Sequence, residues 1–183
     1  MKRLCLCLLC LALLLSGCGH DRETERREQY AEELSAQRDL QFTAKVRAEY
    51  PDKTVSYRLS YDEDSEGCTI RVLEPEEIGG VSVHLGADGA QMRFEEISLD
   101  TGPLDRYGLS PLSALPELTR ALREGHLESH WSEGDLSVWE LVADDHLTVQ
   151  VWLNEELVPQ HAELISEGRV SVFLEISDWN TGA

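Results

Sequence analysis

The sequence predicts an α+β protein, mainly antiparallel β, folded as a strongly curved half-open barrel with a helical segment in its concave face. From Leu40 onward, apolar and polar residues alternate with a period of two, which is typical of strands with one buried face. Turn residues interrupt this alternation at intervals of about 8 to 12 residues. A leucine stripe with helical spacing follows in the middle of the chain. Because large twisted sheets curl and the stripe must be buried, we expect its helix in the concave face.

The first 17 residues have the pattern of an export signal. Lys2 and Arg3 precede a twelve-residue apolar stretch over 4–15, which is too short for a bilayer span of about 20 residues. The ending Leu15-Ser16-Gly17-Cys18 resembles the bacterial lipobox, and this resemblance implies that Cys18 carries lipid and begins the mature chain. We therefore expect a signal peptide over 1–17 and a chain that is exported and lipid-anchored on the extracytoplasmic side of the cell membrane.

The charge of the mature chain limits its partners. Loss of Lys2 and Arg3 with the signal leaves 14 basic residues against 35 acidic ones, a formal charge of −21. Nucleic-acid binding requires clustered Lys and Arg, so nucleic acid is excluded as an expected partner. The same charge opposes direct contact with an anionic membrane, so the lipid on Cys18 has to provide the attachment.

Residues 18–38 are predicted to form a tether and an N-terminal helix. This segment is charged, and its few apolar residues include Tyr30, Ala31 and Leu34. Their spacing indicates a weakly amphipathic helix whose C-terminal half contacts the following domain. The remainder, over 39–179, is predicted to be one curved-sheet domain.

The strands of this domain follow from the alternation. A long hairpin over 42–61 comes first, and further strands are expected near 68–72, 81–85, 92–99, 127–131, 136–142, 147–153, 162–164 and 170–176. Cys68, the one cysteine left besides Cys18, alternates with Ile70 and Val72, so we expect a small core residue and no disulfide. Trp139 is expected in the core. Trp152 lies opposite the main apolar face and is either exposed or part of a second apolar surface.

The central helix has clear boundaries. Ser110 is a good N-cap, Pro111 suits the first helical position, and Gly125 closes the segment. The apolar stripe consists of Leu112, Leu115, Leu118 and Leu122. Pro116 interrupts the stripe without an amide to donate, so we expect either a kink or two short helices.

Three passages of this sequence resemble the LolA-like superfamily, which includes the periplasmic lipoprotein carrier, LppX-like lipoproteins and clostridial germination lipoproteins. The passages are the hairpin over 42–61, the Gly108-Leu109-Ser110-Pro111 stretch before the leucine-rich helix, and the ending with Trp152-Leu153-Asn154, Pro159, Glu167-Gly168 and 170–176. The resemblance implies an unclosed barrel with helices over its concave face. It further implies a cavity for acyl chains, as in several members, or binding of an envelope protein, as in others.

Metal binding and catalysis find little support in the sequence. His126 and His130 are four apart, but on a strand this spacing is about 13 Å, too far for one ion. The acidic run from Asp62 to Glu66 imitates the start of a calcium loop, yet Leu73 stands where a bidentate glutamate is required. No G-x-S-x-G or H-E-x-x-H motif occurs. We expect no enzyme, no metal and no cofactor.

These observations predict a lipid-anchored extracytoplasmic binding protein that holds or hands off a hydrophobic, lipid-like ligand. The candidate cavity residues lie on apolar faces of the early strands and the central helix: Val46, Tyr57, Leu59, Ile70, Leu115 and Leu118. The alternative is a filled core in a non-catalytic envelope scaffold that binds a protein partner, such as a cell-wall or spore-germination factor.

Overall fold

The computed structural model describes residues 22–101 and 109–182. Cys18, the predicted signal peptide and Gly108 lie outside these ranges. The helices are α1 (Arg22–Ala36) and α2 (Pro111–Glu124), and a 3-10 helix covers Glu76–Ile78. The strands are β1 (Leu40–Glu49), β2 (Thr54–Asp64), β3 (Gly67–Glu74), β4 (Ser82–Gly86), β5 (Gly89–Phe94), β6 (Ile97–Asp100), β7 (His126–Glu133), β8 (Leu136–Asp144), β9 (Leu147–Leu153), β10 (Pro159–Ser166) and β11 (Arg169–Thr181).

Within the described ranges, eleven strands form one antiparallel sheet. Their spatial order is β6-β5-β4-β3-β2-β1-β11-β10-β9-β8-β7. The first and last strands pair in the middle of the sheet, where Ala44 lies opposite Ile176. β6 and β7 lie at the two ends and do not pair, so the barrel stays half-open. α2, which lies between β6 and β7 in the sequence, packs against the sheet. The predicted fold class is confirmed.

The strands form where side chains alternate between a buried and a solvated face. β1 shows this pattern along its whole length, with inward residues Leu40, Phe42, Ala44, Val46 and Ala48 all buried. Its register with β2 places Ala44 opposite Leu59 and Val46 opposite Tyr57, so inner faces align across the strands. Burial of each large apolar side chain contributes about 1.5–3 kcal/mol, and this burial stabilises the sheet.

α2 begins at a complete capping box. The Ser113 amide donates to Ser110 Oγ at 3.1 Å, and the Ser110 amide donates to Ser113 Oγ at 2.8 Å. Leu115, Leu118 and Leu122 are fully buried by packing against the sheet. The helix continues across Pro116, so the alternative of two short helices is wrong. Burial of the leucine stripe outweighs the single backbone hydrogen bond that Pro116 removes.

α1 packs against α2 and also contacts the sheet at β7 and at Trp139 of β8. Ala31 and Leu34 are buried, as predicted for its C-terminal half. Arg27 donates to the Ala121 carbonyl at 3.4 Å, and the Tyr30 ring meets the Trp139 ring edge to face at 5.6 Å. Across the part of the chain that the structure describes, neither helix is long and apolar enough to cross a bilayer.

Candidate functional site

The concave face of the sheet is filled by side chains, and the six predicted cavity residues meet there. Val46, Leu59, Ile70, Leu115 and Leu118 are at most 1% exposed and belong to one apolar cluster. Tyr57 is half-buried and packs against the same cluster. The fold therefore brings the six residues together, although five of them are closed to solvent in this structure. Their contact with a ligand remains a prediction.

A first row of apolar residues leads from this cluster to the exposed end of the sheet. From the edge inward, its successive register partners are Leu99, Met92, Val83 and Ile70. Leu99 on β6 is 57% exposed, whereas Val83 and Ile70 are fully buried. The row thus forms a continuous apolar path from solvent to one of the predicted cavity residues.

A second apolar row runs beside the first. It comprises, from the edge inward, Ile97, Phe94, Val81, Val72 and Leu59. The Val72 amide donates to the Val81 carbonyl at 2.8 Å, which holds β3 against the segment before β4. Exposure falls from 60% at Ile97 and 39% at Phe94 to 0% at Leu59. This row also ends on a predicted cavity residue.

The outer ends of both rows form the edge patch, which we define as Met92, Phe94, Ile97 and Leu99. Other exposed large apolar side chains, namely Tyr50, Leu73 and Ile78, lie apart on separate elements. Grouped exposed apolar side chains mark binding surfaces more often than scattered ones do. The alternation predicted one strand near 92–99, but a turn at Glu95-Glu96 divides this stretch into the hairpin of β5 and β6. The place of this hairpin at the sheet edge depends on strand order, which local periodicity does not contain.

A polar network closes the core between β2 and α2. The Tyr61 hydroxyl donates to Glu63 at 3.0 Å and lies 3.2 Å from the Thr119 hydroxyl. Arg123 donates two hydrogen bonds to the Glu63 carboxylate, at 2.8 and 3.0 Å. Burial raises the pKa of Tyr61 well above its usual value, so its hydroxyl stays protonated and able to donate.

Solved structures share this architecture. An uncharacterized conserved protein from Thermus thermophilus is 9% identical with a TM-score of 0.53, and the match covers 88% of each chain. A DUF1329 family protein from Desulfovibrio piger is 9% identical with a TM-score of 0.50, covering 87% of this chain and 93% of that one. A LolA superfamily protein from Nitrosomonas europaea is 15% identical with a TM-score of 0.49, covering 87% and 94% respectively.

At these low identities the likeness concerns the fold alone. No protein-family model and no curated protein sequence matches the chain. The comparisons therefore show the fold of this chain, and its chemistry has to be argued from its own residues.

Cys68 lies on the concave face of the sheet, on the same side as Ile70. It is a free, buried thiol, and burial raises its pKa to about 11. Since the thiolate is the nucleophile, this environment makes Cys68 a small core residue with little reactivity.

We expect the Cys68 thiol to react with a disulfide reagent roughly 100-fold or more slowly in the folded chain than in guanidinium chloride, because reaction requires opening of the core. The mature chain with Cys18→Ser carries Cys68 alone and allows a direct absorbance measurement. Equal reaction rates with and without denaturant would contradict the buried placement.

The outer face of the sheet carries a smaller group of packed side chains around Trp152. Trp152 is buried, stacks on the His161 ring with 4.0 Å between centroids, and donates to Glu133 at 2.8 Å. Trp131 donates to the other oxygen of Glu133 at 2.9 Å. These two bonds hold the pKa of Glu133 below its usual range, and burial lowers the pKa of His161. Trp152 therefore belongs to a second apolar surface, which was one of its two predicted placements.

The histidines and acidic residues singled out as possible metal ligands lie on ordinary hairpins. His126 and His130 are on β7, as the strand prediction required. The run from Asp62 to Gly67 forms the β2–β3 hairpin, where the Glu66 amide donates to Asp64 at 2.7 Å. Over residues 22–101 and 109–182, no three His, Cys, Asp or Glu side chains are grouped closely enough to hold a metal ion.

Proposed function

We propose that this chain is a lipid-anchored extracytoplasmic binding protein that holds a hydrophobic, lipid-like ligand against the concave side of its sheet. The ligand contacts the edge patch first and extends along the two apolar rows toward Leu59 and Ile70. The observation that carries the proposal is the continuity of these rows from strongly exposed to fully buried apolar side chains.

The energetics of the edge patch support a binding role. Burial of an exposed Ile or Leu side chain contributes about 1.5–3 kcal/mol. Ile97 and Leu99 lie on one face of the edge strand β6, so a single elongated ligand can cover both. A LolA-like fold is consistent with this role, because the resemblance implies an acyl-chain site on the concave side.

The closed core restricts how deep a ligand can sit. Leu115 and Leu118 of α2 occupy the space next to Leu59 and Ile70, and all four are fully buried. A ligand on the edge patch extends the apolar core outward without displacing α2. Access to the deeper predicted cavity residues requires α2 to shift, which costs the burial of its leucine stripe.

The proposed anchor would hold the domain close to the membrane. Cys18 precedes the first residue of α1, Arg22, by four positions. Four residues span at most about 14 Å. A lipid on Cys18 would therefore hold the start of α1 within about 14 Å of the membrane surface, which suits a holder or hand-off protein better than a shuttle.

The filled core also favours the second candidate, a non-catalytic envelope scaffold that binds a protein. β6 is an edge strand of the described sheet, so a partner could add a strand beside it, and Ile97 and Leu99 would supply side-chain contacts.

The test of the proposed function uses cis-parinaric acid, a fluorescent fatty acid, and the mature chain with Cys18→Ser. Ile97→Ser with Leu99→Ser should weaken binding by roughly 10-fold or more, because two apolar contacts are lost. The matched control, Leu73→Ser with Ile78→Ser, removes the same two residue types at exposed positions outside the patch and should bind like the parent chain.

Native mass spectrometry of the chain purified from its host complements the titration. Co-purified acyl species that are lost in the Ile97/Leu99 variant support the lipid-like ligand. Absence of parinaric acid binding, or equal weakening in both double variants, contradicts it. A protein captured by the parent chain and lost in the Ile97/Leu99 variant would favour the scaffold.

A further inference from the structure

The outward face of β2–β6 carries a transverse row in which hydroxyl and guanidinium side chains alternate. Arg71 pairs with Ser60 on one side and with Ser82 on the other. Arg93 pairs with the same Ser82 and, on its far side, with Ser98. Ser82 is therefore flanked by two arginines on adjacent strands, and the register places all three side chains on one face.

Several cations of this acidic chain form ion pairs with nearby carboxylates. Lys45 pairs with Glu175 at 3.2 Å, Arg58 with Glu74 at 3.6 Å, and Arg123 with Glu63 at 2.8 Å. Arg71 and Arg93, in contrast, take part in no ion pair with any carboxylate of the described residues. With 35 acidic residues against 16 basic ones, two neighbouring guanidinium groups without an ion pair are a local concentration of positive charge, although Asp62 and Asp178 line an adjacent depression together with Arg71.

The site is a depression of about 270 Å³ lined by Thr69, Arg71, Ser82, His84, Gln91 and Arg93. The Thr69 hydroxyl lies 3.1 Å from His84 Nδ1, which orients the imidazole at one wall. Every lining side chain can donate a hydrogen bond, and no carboxylate lines the depression. This size suits one small anionic group and is below the range of most drug-sized ligand pockets, about 300–1,000 Å³.

We propose that Arg71, Ser82 and Arg93 bind a phosphate group. Neighbouring strands are about 4.8 Å apart, so the two arginines stand on either side of Ser82 with backbones about 10 Å from each other. Their long side chains reach inward over the serine and bring donors to a tetrahedral anion from three directions. A phosphate monoester carries about −1.5 to −2 charges at pH 7, which matches two guanidinium groups, whereas a carboxylate leaves one positive charge uncompensated.

This phosphate site is separate from the proposed hydrophobic site. Arg71 alternates with Ile70 and Val72 along β3, so it points to the opposite face of the sheet from the apolar rows. The phosphate can belong to a lipid headgroup or to a free anion. The formal charge of −21 on the mature chain opposes non-specific attraction to either, so binding has to come from the arginine pair itself.

Titration of the mature Cys18→Ser chain with inorganic phosphate, followed by ¹H–¹⁵N NMR at constant ionic strength, tests the site. Saturable shifts are expected at the Arg71, Ser82 and Arg93 amides. Arg71→Gln with Arg93→Gln should weaken binding by roughly 10-fold or more, because each arginine supplies charge-assisted hydrogen bonds. The charge-matched control, Arg47→Gln with Arg58→Gln, alters the same sheet face and should retain parent affinity. Acetate should bind at least roughly 10-fold more weakly than phosphate.

Vesicles distinguish the two sources of the phosphate. Binding to phosphatidylcholine vesicles that contain phosphatidic acid, but not to phosphatidylcholine alone, with loss in the Arg71/Arg93 variant, assigns the site to a lipid headgroup. Binding of inorganic phosphate without vesicle binding assigns it to a free anion. The site is overturned by absence of saturable shifts together with absence of vesicle binding. Equal weakening in both double variants, or equal affinity for acetate, also overturns it.

Discussion

Leu118→Ala is expected to lower the free energy of unfolding by about 2–5 kcal/mol. Leu118 is fully buried and packs in the apolar cluster between α2 and the sheet. Truncation removes its transfer free energy and leaves a cavity that the surrounding strands fill only in part. Urea denaturation of the mature Cys18→Ser chain measures the loss as a shift of the midpoint at unchanged slope.

The control for this prediction is Leu99→Ala, which makes the same chemical change at a position that is 57% exposed. It should cost less than about 1 kcal/mol, because little apolar surface is buried there. The comparison also tests whether the interior around Leu118 is filled by side chains. If Leu118 instead lined an empty ligand cavity, its truncation would cost no more than that of Leu99.

Gly67→Ala is the second substitution with a large expected effect. Gly67 opens β3 opposite Gly86 and has a φ of 144°, a conformation that L side chains rarely adopt. An added Cβ would overlap the backbone carbonyl of Leu85, which cannot move without breaking the β3–β4 pairing. Strain and overlap together should lower the free energy of unfolding by about 2–5 kcal/mol.

Gly89→Ala separates the two causes of this loss. Gly89 also has a positive φ, 117°, but an added Cβ would have no heavy atom within 4 Å. It should therefore show only the strain component, about 1–3 kcal/mol, and be less destabilising than Gly67→Ala. Equal losses for the two variants, measured by the same urea titrations, would argue against the close approach of β3 and β4.

Local periodicity was sufficient to predict most strands and α2, although it missed the turn that separates β5 from β6. Alternation of Phe42, Ala44 and Val46 defined β1, and the Ser110-Pro111 pair defined the start of α2. These features depend on residues that are near one another in the sequence. Pro116 is the exception. A proline inside a helix predicts a kink or an interruption, but burial of the leucine stripe against the sheet kept α2 as one helix.

The two proposed binding sites depend on information that short sequence windows lack. Arg71 and Arg93 flank Ser82 because three strands take one particular register. Leu99 connects with Ile70 through β5 and β4, and its exposure follows from the position of β6 at the end of the sheet. Strand order and register are long-range properties, so the sequence analysis identified apolar and basic residues without placing them together.

The pairing of β1 with β11 has a consequence for how the polypeptide folds. Leu40 lies opposite Thr181, so the central seam of the sheet joins residues from the two extremes of the domain. Such distant contacts raise the contact order and slow the folding reaction. Neither half-sheet can bury its seam until β1 and β11 are both available, so native assembly of the sheet requires strands from both of its halves.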